Sequence, residues 1–140
     1  MMFSCPDKDS FPIEKSDIMN DYDSLKTCEF FAMINGRLTM IEAKSSSPQP
    51  RNKKKFDEYI AGIGQKFIDT LLMFNAIMLE RHEKNYKDEL PDSIKMQDIG
   101  KLRYALYLVV HGNETEWMIP IQEALQALLN RVEQWFKDNP

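Results

Sequence analysis

The stretch that decides the fold is TCEFFAMINGRLTMIEAKSS, residues 27–46, in which two β-prone apolar runs flank Asn35-Gly36. Asn-Gly is the strongest short-range signal for a β-hairpin, because both residues tolerate the positive φ of a type I′ turn. With these two residues as the loop, Ile34 pairs with Arg37 and the other residues pair outward from there. The sequence therefore predicts an antiparallel hairpin with a fixed register.

The same register brings two glutamates together at the outer end of the hairpin. Glu29 falls opposite Glu42, where like charges about 4.5–5.5 Å apart at Cβ destabilise each other. Lys44 lies two residues after Glu42, so it points to the same face. Two carboxylates and an amine can hold a hard divalent ion such as Mg²⁺, and the amine can orient or deprotonate a bound water. The alternative is a partly buried ion triad with no chemistry, because structural ion networks are common.

The segments on either side of the hairpin predict one more strand, a loop and a long helix. Residues 11–18, FPIEKSDI, are expected to form a first strand, and residues 45–55, SSSPQPRNKKK, a loop. From Phe56 to about Glu83, apolar residues recur at spacings of three and four. That spacing predicts a helix with one buried stripe.

A strand and a helix complete the fold. The inner part of residues 101–110, KLRYALYLVV, is apolar on both faces, as a covered central strand would be. Residues 118–136 predict a final amphipathic helix. The order is then β-β-β-α-β-α, an α/β (α+β) fold whose mixed sheet has an antiparallel hairpin meander followed by a crossover helix. We expect residues 1–10 to be a flexible N-terminus and residues 11–140 to form a single domain.

Composition and charge limit the class of protein. The chain has 140 residues and a net charge of -4, which argues against a generally basic nucleic-acid binder. Residues 42–66 nevertheless carry six basic and three acidic side chains. No signal peptide or apolar run of membrane-spanning length is visible, so we expect no membrane partner. Cys5 and Cys28 are expected to be free thiols in a reducing cytoplasm, and a nucleophilic role for Cys28 is not expected.

Two short segments resemble the motifs of the PD-(D/E)XK nuclease superfamily. Its members carry an acidic residue on one strand and an acidic-x-Lys triplet on the next, usually after a hairpin. The resembling segments are CEFF, residues 28–31, and IEAK, residues 41–44. The order of elements also resembles the family's αβββαβ core, which implies a restriction-endonuclease-like fold. The family's first helix often supplies a further carboxylate, for which the candidates are Glu14, Asp17 and Asp23.

The resemblance implies metal-dependent hydrolysis of phosphodiester bonds, with DNA expected ahead of RNA as the substrate. It implies that Mg²⁺ or Mn²⁺ is held by Glu29, Glu42 and the backbone carbonyl of Ala43. Lys44 would position the attacking water and stabilise charge on the phosphate.

A basic run and two helix residues are expected to contact nucleic acid. The full set is Arg51, Lys53, Lys54, Lys55, Gln65 and Lys66. The alternative is that the basic run is a solvated loop and Lys66 a solvated helix residue. Three functions stay open. The first is an active endo- or exonuclease, and the second is a catalytically inactive nucleic-acid-binding or regulatory/protein-interaction module on the same fold. The third is a subunit interface protein whose final helix docks a partner. A homodimer or a larger complex would suit a chain this short.

Overall fold

The structure, a computed structural model, describes residues 10–21, 25–82, 85–111 and 115–138. Four strands and four α-helices follow one another: β1 (Ser10–Phe11), α1 (Ile18–Asp21), β2 (Phe30–Ile34), β3 (Arg37–Lys44), α2 (Lys53–Met78), α3 (Asp92–Lys95), β4 (Arg103–Val110) and α4 (Met118–Asp138). The four strands together with α2 and α4 follow the predicted order β-β-β-α-β-α, although β1 has only two residues and the full order differs in detail. The short helical pieces between them were not predicted.

The chain divides into two compact units. The first contains residues up to 43 and residues 65–109, and the second contains residues 44–64 and those from 110 onward. Residues 1–9 of the expected flexible N-terminus lie outside the described residues. Ser10, assigned to that terminus from the sequence, instead begins β1 and pairs with Ala32.

The hairpin has the predicted turn and register. Asn35 and Gly36 both have positive φ, 51° and 75°, as a type I′ turn requires. β2 and β3 pair antiparallel from Ile34 with Arg37 to Phe30 with Ile41. Local turn chemistry was therefore sufficient to predict this part of the sheet.

The expected first strand over residues 11–18 is wrong beyond Phe11. Pro12 has no amide hydrogen, so it cannot continue the ladder. The chain turns instead into a 3₁₀ helix, Ile13–Lys15, and the Ser16 hydroxyl donates to the carbonyl of Ile13 at 2.6 Å. Ile13 and Ile18 are both fully buried, so this coiled segment still supplies apolar side chains to the core.

The sheet is mixed and has the order β1-β2-β3-β4. β3 therefore has a neighbour on each side, and its residues 38–42 are all buried. The expectation that β4 is a central strand is wrong, because it lies at the edge of the described sheet. A chain of aromatic contacts crosses the first unit. Ring centroids lie 5.3 Å apart for Phe11 and Phe31, 5.4 Å for Phe31 and Phe74, and 6.4 Å for Phe74 and Tyr104. These contacts join β1, β2, α2 and β4 around one core.

The long helix α2 begins earlier and ends earlier than predicted. The side chain of Asn52 accepts the amide of Lys55 at 3.4 Å, so the three lysines expected in a loop form the first helical turn. The helix ends after Met78 because Glu80 adopts a φ of 55°. The amide of Arg81 then bonds to the carbonyl of Ala76 at 3.0 Å, and that of Glu80 to Ile77 at 3.0 Å. These two bonds form a Schellman C-cap.

In the second unit, the first half of α2 packs closely on α4. A Cβ atom added at Gly64 would collide with the side chain of Leu128, whereas one added at Gly62 would meet nothing. Glycine at position 64 thus permits the close approach of the two helices.

Candidate active site around Glu42 and Lys66

Glu42 is a carboxylate buried in the third strand of the sheet. It is 1% exposed, and it lies among the apolar residues of β3. The ammonium group of Lys66, on α2, lies 2.7 Å from its Oε2 atom. An unpaired buried carboxylate would cost several kcal/mol, and the ion pair with Lys66 offsets much of that cost inside the sheet.

The pair also changes the titration of the lysine. Burial alone would lower the pKa of Lys66, because it disfavours the charged form. The hydrogen bond and charge of Glu42, followed by the charge of Glu14, outweigh burial and raise the pKa above its usual 10.5. Lys66 is therefore a permanent cation at neutral pH. From the sequence, Lys66 was expected to contact nucleic acid or to be a solvated helix residue, whereas its ammonium forms an ion pair with Glu42.

Glu29 lies one residue before β2 and outside the ladder. Its amide donates to the carbonyl of Ile41 at 3.1 Å, although the register pairs Ile41 with Phe30. Two consecutive residues thus oppose one residue of β3, which is the pattern of a β-bulge. The bulge breaks the alternation, so the expected pairing of Glu29 opposite Glu42 is not part of the ladder. The half-buried Glu29 remains next to β3 through its backbone.

Ala43 and Lys44 end the strand that carries Glu42. The carbonyl of Lys44 accepts the amide of His111 at 2.9 Å, and both side chains at the strand end are half-buried. Sequence reasoning expected Lys44 to be the amine beside the carboxylates. The ion pair of Glu42 is instead formed with a lysine 24 positions along the chain.

Two side chains of α2 hold the segment that precedes Glu29, residues 26–28. Asp69 accepts the amide of Lys26 at 3.0 Å, and the hydroxyl of Thr70 accepts the amide of Cys28 at 2.7 Å. Thr70 in turn donates to the carbonyl of Lys66 at 2.6 Å. The helix that carries Lys66 therefore also fixes the backbone leading to Glu29.

Sequence reasoning gave no role to Asp69 or Thr70. The available signal was that both polar residues interrupt the apolar run FIDTLLMFNAIML, residues 67–79. Gln65, expected to face the site, is exposed and donates to Asp69 at 2.8 Å. Its amide group therefore helps to orient the Asp69 carboxylate, which accepts the amide of Lys26.

Cys28 lies within the same cluster but is chemically inert. Burial raises the pKa of its thiol from 9.0 to about 12, and the charges of Glu42 and Glu14 act in the same direction. The hydrogen bond to Thr70 and the charge of Lys66 oppose them without prevailing. A thiol with so high a pKa is not a nucleophile at neutral pH.

Among the three candidates for a further carboxylate, Glu14 is placed near the site. Its amide donates to the carbonyl of Glu29 at 3.4 Å, and its charge acts on Lys66. Asp17 is exposed on the following turn, and Asp23 lies outside the described residues. The sequence alone could not select among the three, because the choice depends on how the chain turns after Pro12.

In the second unit, the basic run from Arg51 to Lys55 is exposed along its whole length. The guanidinium of Arg51 donates through Nε to the side chain of Gln49 at 2.7 Å. An open cavity of about 450 Å³ adjoins it, lined by Gln49, Pro50, Arg51, Glu116 and Trp117. The segment has no acidic residue before Asp57, so it presents a positive surface.

The metal ligands expected from the sequence are oxygen donors on Glu29, Glu42 and Ala43. Glu29 and Glu42 offer carboxylates, and strand alternation turns the carbonyl of Ala43 to the same edge of β3 as that of Ile41. Lys66 already balances one of these charges. Within the described ranges, no group of three or more His, Cys, Asp or Glu side chains is arranged to hold a metal. The three expected ligands are oxygen donors of the type that Mg²⁺ prefers, and a site with so few protein ligands would leave several coordination positions to water.

In the part of the chain that the structure describes, no helix is long and apolar enough to cross a bilayer. No protein-family model, curated protein or solved structure matches the chain.

Proposed function

We propose that the chain is a divalent-metal-dependent nuclease of the PD-(D/E)XK type, with a restriction-endonuclease-like fold, that hydrolyses phosphodiester bonds in DNA. The observation that carries the proposal is the buried carboxylate of Glu42 on an E-x-K strand, with the ammonium of Lys66 2.7 Å away. Burying a charge inside a sheet is costly, and a hydrophobic residue there would often stabilise the fold as well or better. A functional role explains why the charge is kept.

The acidic residues would bind the metal ion. Lys44 would act on the charge of the phosphate, and Lys66 on the charge of Glu42. Glu29, Glu42 and the carbonyl of Ala43 are the proposed ligands, and bound Mg²⁺ would supply a polarised water and stabilise charge on the phosphate. Lys44 would stabilise the negative charge that develops on the scissile phosphate. Lys66 would hold the Glu42 carboxylate in a fixed position through their 2.7 Å ion pair.

The exposed basic segment of the second unit is the proposed contact for the nucleic-acid backbone. Arg51 and Lys53 to Lys55 would bind phosphates without reading sequence, since charge alone carries this type of contact. Changing Lys54 to Ala should weaken binding evenly across sequences. It should also reduce the dependence of affinity on salt by about one phosphate contact.

Calorimetry with Mn²⁺ and a cleavage assay on DNA and RNA test the proposal together. We expect Glu42→Gln to lose Mn²⁺ binding and cleavage, and Lys44→Ala to keep Mn²⁺ binding but lose at least about a hundredfold in rate. Glu58→Gln and Lys101→Ala change exposed residues of the same types and should alter neither. Folding of each variant is checked by circular dichroism. A folded wild-type protein that neither binds Mn²⁺ nor cleaves any substrate would overturn the proposal.

One observation favours a second function, an inactive nucleic-acid-binding or regulatory module on the same fold. Lys66 already balances the charge of Glu42, so this ion pair is stable without a metal. Such a module would bind DNA with an affinity that depends on salt but not on Mn²⁺. The salt series and the Mn²⁺ titration on one sample therefore separate the two functions.

A further inference from the structure

The sheet has one long edge strand, β4. In the strand order β1-β2-β3-β4 it pairs only with β3, and among the described residues no strand lies on its outer side. The opposite edge, β1, is only two residues long. Long edges are usually protected by charge, proline or a bulge, because their free amides and carbonyls pair readily with another chain. Residues 104–110, YALYLVV, contain no charged residue, proline or glycine.

A single hydrogen bond shows which residues of β4 face outward. The amide of His111 donates to the carbonyl of Lys44 on β3 at 2.9 Å. Because the amide and carbonyl of one residue point to the same side of a strand and alternate along it, the odd-numbered residues of β4 face β3. The backbone groups that face outward are those of Tyr104, Leu106, Leu108 and Val110.

We propose that β4 pairs antiparallel with β4 of a second copy of this chain across a two-fold axis. Hydrogen bonding requires outward-facing residues to pair with one another, so only registers that match even with even positions are allowed. The register that uses all four outward-facing residues places Tyr104 opposite Val110 of the partner subunit and Leu106 opposite Leu108 of the partner subunit. Tyr107 then lies on the axis, opposite its own copy.

The side chains along β4 support a second copy of this chain as the pairing partner. An interface across a two-fold axis must be self-complementary, and this register is. It places an aromatic residue opposite a β-branched one and leucine opposite leucine, which are favourable cross-strand pairs. Since no residue from 104 to 110 is charged, no like charges oppose one another in this span. Joining two copies extends each four-stranded sheet into one of eight strands.

Hydrogen exchange measured residue by residue by NMR tests the register directly. As the protein concentration rises from micromolar to millimolar, the amides of Tyr104, Leu106, Leu108 and Val110 should become protected from exchange. The odd-numbered amides, which face β3, should be protected at every concentration. Light scattering over the same range should show the mass changing from one chain to two.

A pair of substitutions at one site separates edge pairing from packing. Leu106→Pro removes an outward amide, and proline is tolerated where the amide faces away from the sheet. Leu106→Ala loses similar side-chain contacts but keeps the amide. Each substitution occurs twice in a two-fold dimer, so Leu106→Pro removes two hydrogen bonds from the interface. The dimer dissociation constant of Leu106→Pro should therefore be at least about tenfold higher than that of Leu106→Ala.

Three outcomes would overturn the proposal. The first is a folded protein that stays one chain at millimolar concentration with fast exchange at the even-numbered amides. The second is a dimer in which Pro and Ala at position 106 dissociate equally. The third is protection of the even-numbered amides only after another protein is added, which would assign the edge to a different strand. If Leu106→Pro does not fold, the exchange experiment on the wild-type protein still decides the matter.

Discussion

Lys66 on α2 and Glu42 on β3 form an ion pair of 2.7 Å, and the carboxylate is the more buried partner, 1% exposed against 25% for the lysine side chain. This difference in exposure decides how each side chain responds when its partner is removed. Without Glu42, the lysine can extend toward water. Without Lys66, the carboxylate has no comparable route to solvent and stays buried without its partner.

Replacing Lys66 should therefore cost more stability than replacing Glu42. We expect Lys66→Met to lower the free energy of unfolding by about 3 kcal/mol at neutral pH, because it leaves a buried charge unpaired. Glu42→Gln should cost less, and the double variant should recover part of the loss. Urea denaturation of all four proteins gives the coupling energy. Losses that simply add would mean that the two groups do not interact in solution.

The same lysine should weaken the binding of a divalent ion at Glu42. An ammonium next to the carboxylate repels a second cation, so Lys66→Met should bind Mn²⁺ roughly tenfold more tightly or better. Lys101→Met, which changes an exposed lysine, is the control and should leave the affinity unchanged. Calorimetry measures this without any assay of cleavage. Equal affinities for wild type and Lys66→Met would show that Lys66 does not compete with the metal.

The parts of the fold that depend on neighbouring residues could be predicted from the sequence. Asn35 and Gly36 specify their turn locally, and the turn fixes the register of five residue pairs. The pairing of Glu42 with Lys66 depends instead on how α2 docks on the sheet. Helical periodicity predicts which face is buried but not which residue of that face meets a given strand position. The bulge at Glu29 is equally non-local, because it depends on how residues 26–28 are held by α2.

Cys28 should make the stability of the protein decline in alkali. The folded thiol keeps its proton because its pKa is raised from 9.0 to about 12, whereas the unfolded chain loses that proton above pH 9. The unfolded state is thus favoured as the pH rises through this window. Between about pH 8 and pH 10, the free energy of unfolding of the wild type should fall by roughly 1.4 kcal/mol more than that of Cys28→Ala. Urea denaturation near pH 8 and pH 10 measures the difference, and parallel losses would contradict the buried, protonated thiol.

The C-cap of α2 should be stabilised by glycine. Glu80 holds a φ of 55°, which costs a residue with a side chain about 1 kcal/mol. We expect Glu80→Gly to raise the free energy of unfolding by roughly 0.5 kcal/mol or more. Glu80→Ala keeps the strain and should give no gain. If both variants changed stability equally, the exposed carboxylate and not the backbone would be responsible.

Gly62 and Gly64 on α2 provide a matched test of the packing in the second unit. A methyl group at position 62 meets nothing, so Gly62→Ala should stabilise the helix by about 1 kcal/mol. The same change at position 64 places the methyl group against Leu128 of α4, so the gain should be lost or reversed. Adding Leu128→Ala should make Gly64→Ala favourable again relative to Leu128→Ala alone. Urea denaturation compares the variants, and equal gains from both glycine substitutions in the wild-type background would show that α4 does not approach α2 at this point.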